Sequence, residues 1–226
     1  MSTEVVGFGM THLQRNEAEG RTMMGGRQQV RPWQERVEAG HRPVQEEWKS
    51  LVSASQTLRA WVPDIIPGMF QTADYARCVF ESLAELRNTP RDTGDAVRAR
   101  MERQEWLHLP GKELHQLIWE GALCARLGSP EVMAAQLDRI FAVLDLDSVR
   151  LGVVPFDGTL RLPIGNAFTM VDDRLVVIED WYAEHWLDDA DAIALHRRVW
   201  ETHAASAVYG SEAKRIVTRV RRSVHG

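Results

Sequence analysis

Apolar side chains recur at helical spacing through the first half of the chain, then shift to short extended runs. Val44, Trp48, Leu51, Val52 and Leu58 share one face and predict a helix over 44–60. Val62-Pro63-Asp64 and Ile66-Pro67-Gly68 follow it as turn chemistry. Thr72 reads as the cap of a helix over 73–87, with Tyr75, Val79, Leu83 and Leu86 on one stripe. Thr93 reads as the cap of another over 94–107, carrying Val97, Met101 and Trp106. The stretch 115–119 (HQLIW) then predicts a strand. Ser129-Pro130-Glu131 opens a helix whose buried stripe runs from Val132 to Leu144, and 149–154 predicts a second strand. Strand, helix and strand in about 40 residues predict a parallel βαβ unit. Residues 167–171 and 175–178, joined by Asp172-Asp173-Arg174, predict a hairpin. Helices over 188–206 and 211–222 close the chain. The expectation is an α+β (mixed α/β) fold, with a small sheet holding a βαβ unit and a hairpin, flanked by N-terminal and C-terminal helices.

Composition narrows the function classes. The chain has 226 residues, is 44% hydrophobic and 26% charged, and carries a net charge of −5. An acidic protein is a poor general binder of phosphate backbones. No run of eighteen apolar residues and no secretory leader pattern is visible, so a cytoplasmic protein without a membrane span is expected. Cys78 and Cys124 are too few for a disulfide framework or a thiolate metal site. Charge is unevenly placed. Residues 1–50 carry seven basic and seven acidic side chains, residues 172–191 hold eight acids against Arg174 alone, and the last seventeen residues sum to +4. Residues 1–28 are rich in Gly and Met without periodicity and are expected to form a flexible arm.

From Pro67 onward, a set of short motifs recurs in order. They are Ile66-Pro67-Gly68-Met69-Phe70-Gln71-Thr72-Ala73-Asp74-Tyr75-Ala76-Arg77, Arg100-Met101-Glu102-Arg103-Gln104 and Trp119-Glu120-Gly121-Ala122-Leu123. Gly128-Ser129-Pro130-Glu131-Val132-Met133, Gln136-Leu137, Val153-Val154-Pro155-Phe156 and Ser211-Glu212 continue the set. This pattern resembles the C-terminal domain of WhiJ-type, antitoxin-like regulators of actinobacteria, in which a helix-turn-helix precedes a domain of unknown function. The resemblance implies a cytoplasmic protein that pairs with a small partner encoded nearby. It implies gene regulation where the DNA reader is intact. Here residues 30–43 look like a surviving recognition helix with its Glu38-Ala39-Gly40 turn. The helices that should support it would fall over 13–29, where Gly20, Gly25 and Gly26 each cost about 1 kcal/mol against Ala. A reading helix needs that support to set its angle in the groove. The chain is therefore read as a degenerate helix-turn-helix remnant over 1–60 and a regulator-type domain over 61–226, with DNA an unlikely partner.

No standard catalytic or cofactor motif is present, and no cofactor or metal is expected. One cluster stands out: Glu179-Asp180-Trp181-Tyr182-Ala183-Glu184-His185-Trp186, just after a strand. Aromatic faces and carboxylates together hold cations, and an imidazole titrates near neutral pH. Glu120, Asp180 and His185 are the candidate catalytic residues. Trp119, Arg126, Trp181, Tyr182 and Trp186 are the candidate substrate-binding residues, with Trp119 and Glu120 facing the same pocket from another strand end. The same aromatics also suit a protein interface. Two functions follow. The first is a regulator-derived module acting in an obligate complex with a small partner protein, without autonomous DNA binding. The second is a recruited natural-product biosynthetic enzyme, working without a cofactor on an amine-bearing small molecule. One form of that chemistry is aziridine closure, in which the amine displaces a sulfate within the same molecule, with Arg126 receiving the anion.

Overall fold

The computed structural model describes residues 28–225. The fold is mixed α+β, with seven strands and eight α-helices among the described residues. In chain order these are β1 (Gln28–Pro32), α1 (Trp33–Arg36), α2 (Arg42–Ala54), β2 (Thr57–Val62), α3 (Ala73–Arg87) and α4 (Thr93–Arg103). They continue with β3 (Glu113–Trp119), α5 (Glu120–Cys124), α6 (Pro130–Val143), β4 (Val149–Val154), β5 (Ala167–Val171) and β6 (Leu175–Glu179). β7 (Ala183–Leu187), α7 (Ala190–Ala204) and α8 (Gly210–Arg222) complete the chain. The strands form one sheet in the order β1-β7-β6-β5-β2-β3-β4. β2, β3 and β4 run parallel, with α6 as the predicted crossover between β3 and β4. β5 pairs antiparallel with β2, and β6, β7 and β1 continue that alternation.

Strand alternation divides the interior in two. Leu58, Leu114, Ile118, Leu151, Val153 and Val177 face one side of the sheet and pack with α2, α3, α6 and α8. Trp61, Leu117, Val154, Phe168, Met170 and Val176 face the other and meet Ile193 and Trp200 of α7. The predicted caps hold the helix starts. Thr72 Oγ1 accepts from Tyr75 N, and Ser129 Oγ accepts from Val132 N. The predicted hairpin is β5–β6. Asp172 and Asp173 both take positive φ (48° and 51°) while Arg174 N donates to Val171 O, the mirror-image turn that matches strand twist.

Three segments differ from expectation. The helix predicted over 44–60 ends at Ala54, and its last four residues belong to β2, in the middle of the sheet. Leu58 sits at helical spacing by coincidence, while Thr57, Trp61 and Val62 favour a strand. The Asp172 carboxylate then accepts from both Gln56 N and Thr57 N at 2.8 Å and fixes where β2 begins. Residues 30–43, expected as a recognition helix, are instead β1 paired with β7, the single turn α1, and the start of α2. Residues 28–60 thus belong to the same sheet and core as the rest; the arm expected over 1–28 and the supporting helices expected over 13–29 lie outside the described residues except at 28 and 29, which are in β1. The cluster after β6 is not a loop throughout: Ala183–Leu187 is β7. The final helices begin and end within two residues of their predicted bounds at 190–204 and 210–222.

Gly40 explains the turn that resembled a reader's end. Its φ is +101°, and a Cβ there would meet the Asp92 carboxylate at 2.5 Å. That carboxylate accepts from His41 N (2.9 Å) and Arg42 N (2.6 Å), joining the start of α2 to the loop before α4. Gly40→Ala is expected to destabilise the fold by roughly 1–3 kcal/mol, from backbone strain and loss of this contact. Urea unfolding of the two proteins checks it, and an unchanged midpoint would refute the reading.

Candidate functional site

Strand direction brings several chain segments to one edge of the sheet. The ends of β1, β2, β3, β4 and β6 and the starts of β5 and β7 all lie there. The sequence-predicted residues share this edge but do not form one site. Glu120, at the start of α5, is buried. Its Oε1 accepts from Arg219 of α8 (2.5 Å) and its Oε2 from Phe156 N (3.0 Å), which ties the helix to two neighbours. Trp119 points to the α7 side of the sheet and meets Phe156 edge-on. Arg126 donates to the Ser223 carbonyl and pins the C-terminus. β3 and β6 are three strand positions apart, about 14 Å, so Glu120 and Asp180 do not act together.

The 179–186 cluster is split by the period of the strand. Glu179 and Glu184 stand directly opposite each other on β6 and β7 and face the α2–α4 side with Trp186. His185 takes the other face, where its Nε2 lies 2.9 Å from Asp180 Oδ2. The second Asp180 oxygen accepts from Tyr182 N and Ala183 N and shapes the turn. Glu184 is fully buried. It accepts from the indole N–H groups of Trp48 (2.9 Å) and Trp186 (3.0 Å), with Arg36 Nη2 at 2.6 Å. Trp181 and Tyr182, at the tip, are 78% and 70% exposed.

Under this edge, between the sheet and helices α2, α3 and α4, lies a cavity of about 600 Å³. That volume suits an organic molecule. Leu58, Ala60, Ile66, Val79 and Phe80 give it apolar walls, and Trp181 stands at the side of Glu179 and Asp180. Its distinctive groups are Arg100 and Arg103, one helical turn apart on α4. Arg100 donates through Nε to Gln45 (3.1 Å) and through Nη1 to Gln71 (2.5 Å), and its guanidinium lies over Phe80 at 4.2 Å. Arg103 is 8% exposed and lies near the Trp48 ring, and its Nε has no hydrogen-bond partner. His41 Nε2 is also buried without a partner at the cavity wall. Gly68 makes room for the pair, since a Cβ there would come within 2.6 Å of Arg103 Nη2.

Buried amides hold the loop that carries Gly68. Gln71 donates to Ile66 O (2.7 Å), and Gln104 donates to Gly68 O (2.9 Å) and Gln71 O (2.8 Å). Gln136 of α6 donates to Phe70 O and accepts from Thr72 N. The motifs around 66–72, 100–104 and 136 therefore converge on one structure. Their role at a cavity went unread in the sequence. The available signal was polar: Gln71, Arg100, Arg103, Gln104 and Gln136 all interrupt apolar stripes.

Electrostatics single out Glu179. Burial, then the facing Glu184, push its carboxyl up to about 7, against the pull of Arg100 and Arg103. Burial lowers Arg100 to about 9 and Arg103 to about 10. His41 is lowered by burial in the same wall. The cavity thus sets two guanidiniums against one carboxylate poised near neutrality, a pattern typical of functional sites.

The family model described as Domain of unknown function (DUF5753) matches residues 45–219, and the chain belongs to that family. No curated protein matches. Among solved structures, NucT from Helicobacter pylori is 12% identical with a TM-score of 0.43, covering 82% of this chain and 99% of that one. The phospholipase D family member Nuc from Salmonella typhimurium is 13% identical with a TM-score of 0.43, at 82% and 99% coverage. The archaeal chromatin protein TrmBL2 is 13% identical with a TM-score of 0.40, at 81% and 55% coverage. Likeness at this level carries no argument about activity. Among the described residues no helix is long and apolar enough to cross a membrane.

The raised Glu179 carboxyl has a stability consequence. The unfolded chain releases this proton near 4.5, while the folded protein keeps it until about 7. Folding is therefore favoured below that window, and this contribution is lost as pH rises through it. Glu179→Gln is expected to remove that part of the pH dependence. Paired urea titrations across the window check it, and parallel curves for both proteins would refute it.

Proposed function

We propose that this member of the DUF5753 family is a small-molecule protein whose cavity takes a ligand bearing an anionic group beside an amine. The observation that carries this reading is the Arg100–Arg103 pair, set deep in an organic-sized cavity with the Arg103 Nε unpartnered and Gly68 keeping the space clear. Two forks one turn apart suit a sulfate, phosphate or carboxylate. Glu179, with Asp64 and Asp180 on the same lining, offers the negative end for an ammonium.

The chemistry these groups support best is a cofactor-independent intramolecular substitution, here aziridine closure. The amine nitrogen attacks the neighbouring carbon, the C–N bond forms as the C–O bond breaks, and the electron pair leaves with sulfate. The guanidiniums hold the departing anion and a carboxylate accepts the nitrogen's proton. In this reading Arg100 and Arg103 take the anion-holding role expected of Arg126, and Glu179 that expected of Glu120, Asp180 or His185. The resemblance to WhiJ-type regulators then describes the scaffold's origin.

A second reading, an obligate complex with a small partner protein, draws support from Trp181 and Tyr182. Two large aromatics exposed side by side at the hairpin tip suit hot-spot contacts. The two readings are compatible, since the tip adjoins the cavity.

Aminoethyl sulfate at about a hundred times its Kd is expected to raise the unfolding midpoint by roughly 5 °C or more. Arg103→Gln should lose that shift while still unfolding cooperatively, and absence of any shift in the parent protein would overturn the cavity reading. For the partner, Trp181→Ala with Tyr182→Ala should reduce co-purification of the small neighbouring protein by tenfold or more. Unchanged recovery would place the contact elsewhere.

A further inference from the structure

We infer that Glu179 is the proton acceptor of this cavity and that the ligand's own anion switches it on: an anion seated on Arg100 and Arg103 removes the countercharge that keeps Glu179 ionised, and Glu179 takes up a proton. The inference rests on the cavity reading above.

Geometry places these groups on one cavity lining. β6 ends at Glu179, and its register neighbour on β7 is Glu184, so two carboxylates face the same side of the sheet. Like charges directly opposite each other disfavour double ionisation. Glu184 is already served by Trp48, Trp186 and Arg36, and Arg36 also reaches Glu47. The cationic support for Glu179 comes from α4, from Arg100 and Arg103. The other ionisable groups on the lining are Asp64 after β2, Asp180 after β6, Arg87 of α3 and His41 before α2. Asp64 adds to the repulsion. Asp180 is engaged by two backbone N–H groups and His185.

An anion on the arginine pair changes this balance in one direction. It brings negative charge toward Glu179 and draws both guanidiniums to itself, so the proton on Glu179 becomes more strongly held. Because Glu179 already sits near 7, about half of it is protonated at neutral pH, and a modest further rise makes it mostly protonated. With an amine-bearing ligand the proton comes from the ligand. R–NH₃⁺ and the carboxylate become R–NH₂ and the carboxylic acid, no other reactant is needed, and the nitrogen gains the lone pair that forms the C–N bond. Docking of the leaving group and release of the nucleophile thus become one event, and the base stays weak in the empty cavity.

Isothermal titration calorimetry with inorganic sulfate tests this on the whole chain, in two buffers of different ionisation enthalpy. The working pH is about half a unit above the Glu179 value. Wild type is expected to bind sulfate with uptake of roughly half a proton or more, and its affinity to fall up to about tenfold per pH unit above that value. Glu179→Gln should bind sulfate without proton uptake and with flat pH dependence. Binding without proton uptake in wild type, or uptake unchanged in Glu179→Gln, overturns the inference and leaves the cavity reading standing. Failure of wild type to bind sulfate overturns both. Arg103→Gln locates the ion: lost binding supports the cavity, whereas retained binding moves it to the open cleft of Arg59, Arg150 and Arg197 on the far face of the sheet, and overturns the inference.

Discussion

Two guanidiniums set side by side inside a protein impose conditions on everything around them. Each buried ion loses several kcal/mol of hydration that must be matched by neighbours. Around Arg100 and Arg103 those neighbours come from four elements: Gln45 and Trp48 on α2, the 66–72 loop, Phe80 on α3 and Glu179 on β6. Each element is fixed by its own constraint. Gly68 leaves room for the Arg103 guanidinium, Gln71 and Gln104 hold the loop, and Gln136 reaches across from α6. The pair explains why so many polar side chains lie inside an otherwise apolar layer.

The matching is incomplete where it matters. Arg103 Nε and His41 Nε2 lack partners although they are buried. Orphaned buried donors are rare in folded proteins and cluster at sites where a ligand or water completes the set. A cavity with apolar walls, two cations on α4 and a carboxylate at the end of β6 is polarised internally. Such an interior favours a molecule whose own charges are separated in the same sense. The exposed Trp181 and Tyr182 stand at the same edge, at the β6–β7 turn.

The edge also shows how one residue of register reassigns chemistry. Glu184, His185 and Trp186 are consecutive, yet the central one faces the α7 layer and its neighbours face the cavity layer. The cluster looks like a single site when read as a loop. As a strand it divides into a buried structural carboxylate, a turn-stabilising Asp180–His185 pair, and two exposed rings. Glu120 is similar: a buried acid at a strand end that holds α8 through Arg219.

Local pattern alone determined a good part of this protein. The caps at Thr72 and Ser129, the turn at Asp172-Asp173 and the closing helices were legible, because each depends on neighbours within a few residues, and the βαβ unit was legible because a strand-helix-strand succession favours a parallel crossover. The mixed α+β class and the 66–77 and 100–104 motifs were legible too. Tertiary structure decided the rest. It alone made 57–62 a central strand, because Asp172 and two pairing strands outweighed a helical coincidence at Leu58. It alone made 28–32 an edge strand on β7. It also brought Arg100 and Arg103 to Glu179, some eighty residues away in sequence, to form the cavity. Long-range pairing leaves no periodic trace, and the charge of a buried group depends on partners that only the folded chain supplies.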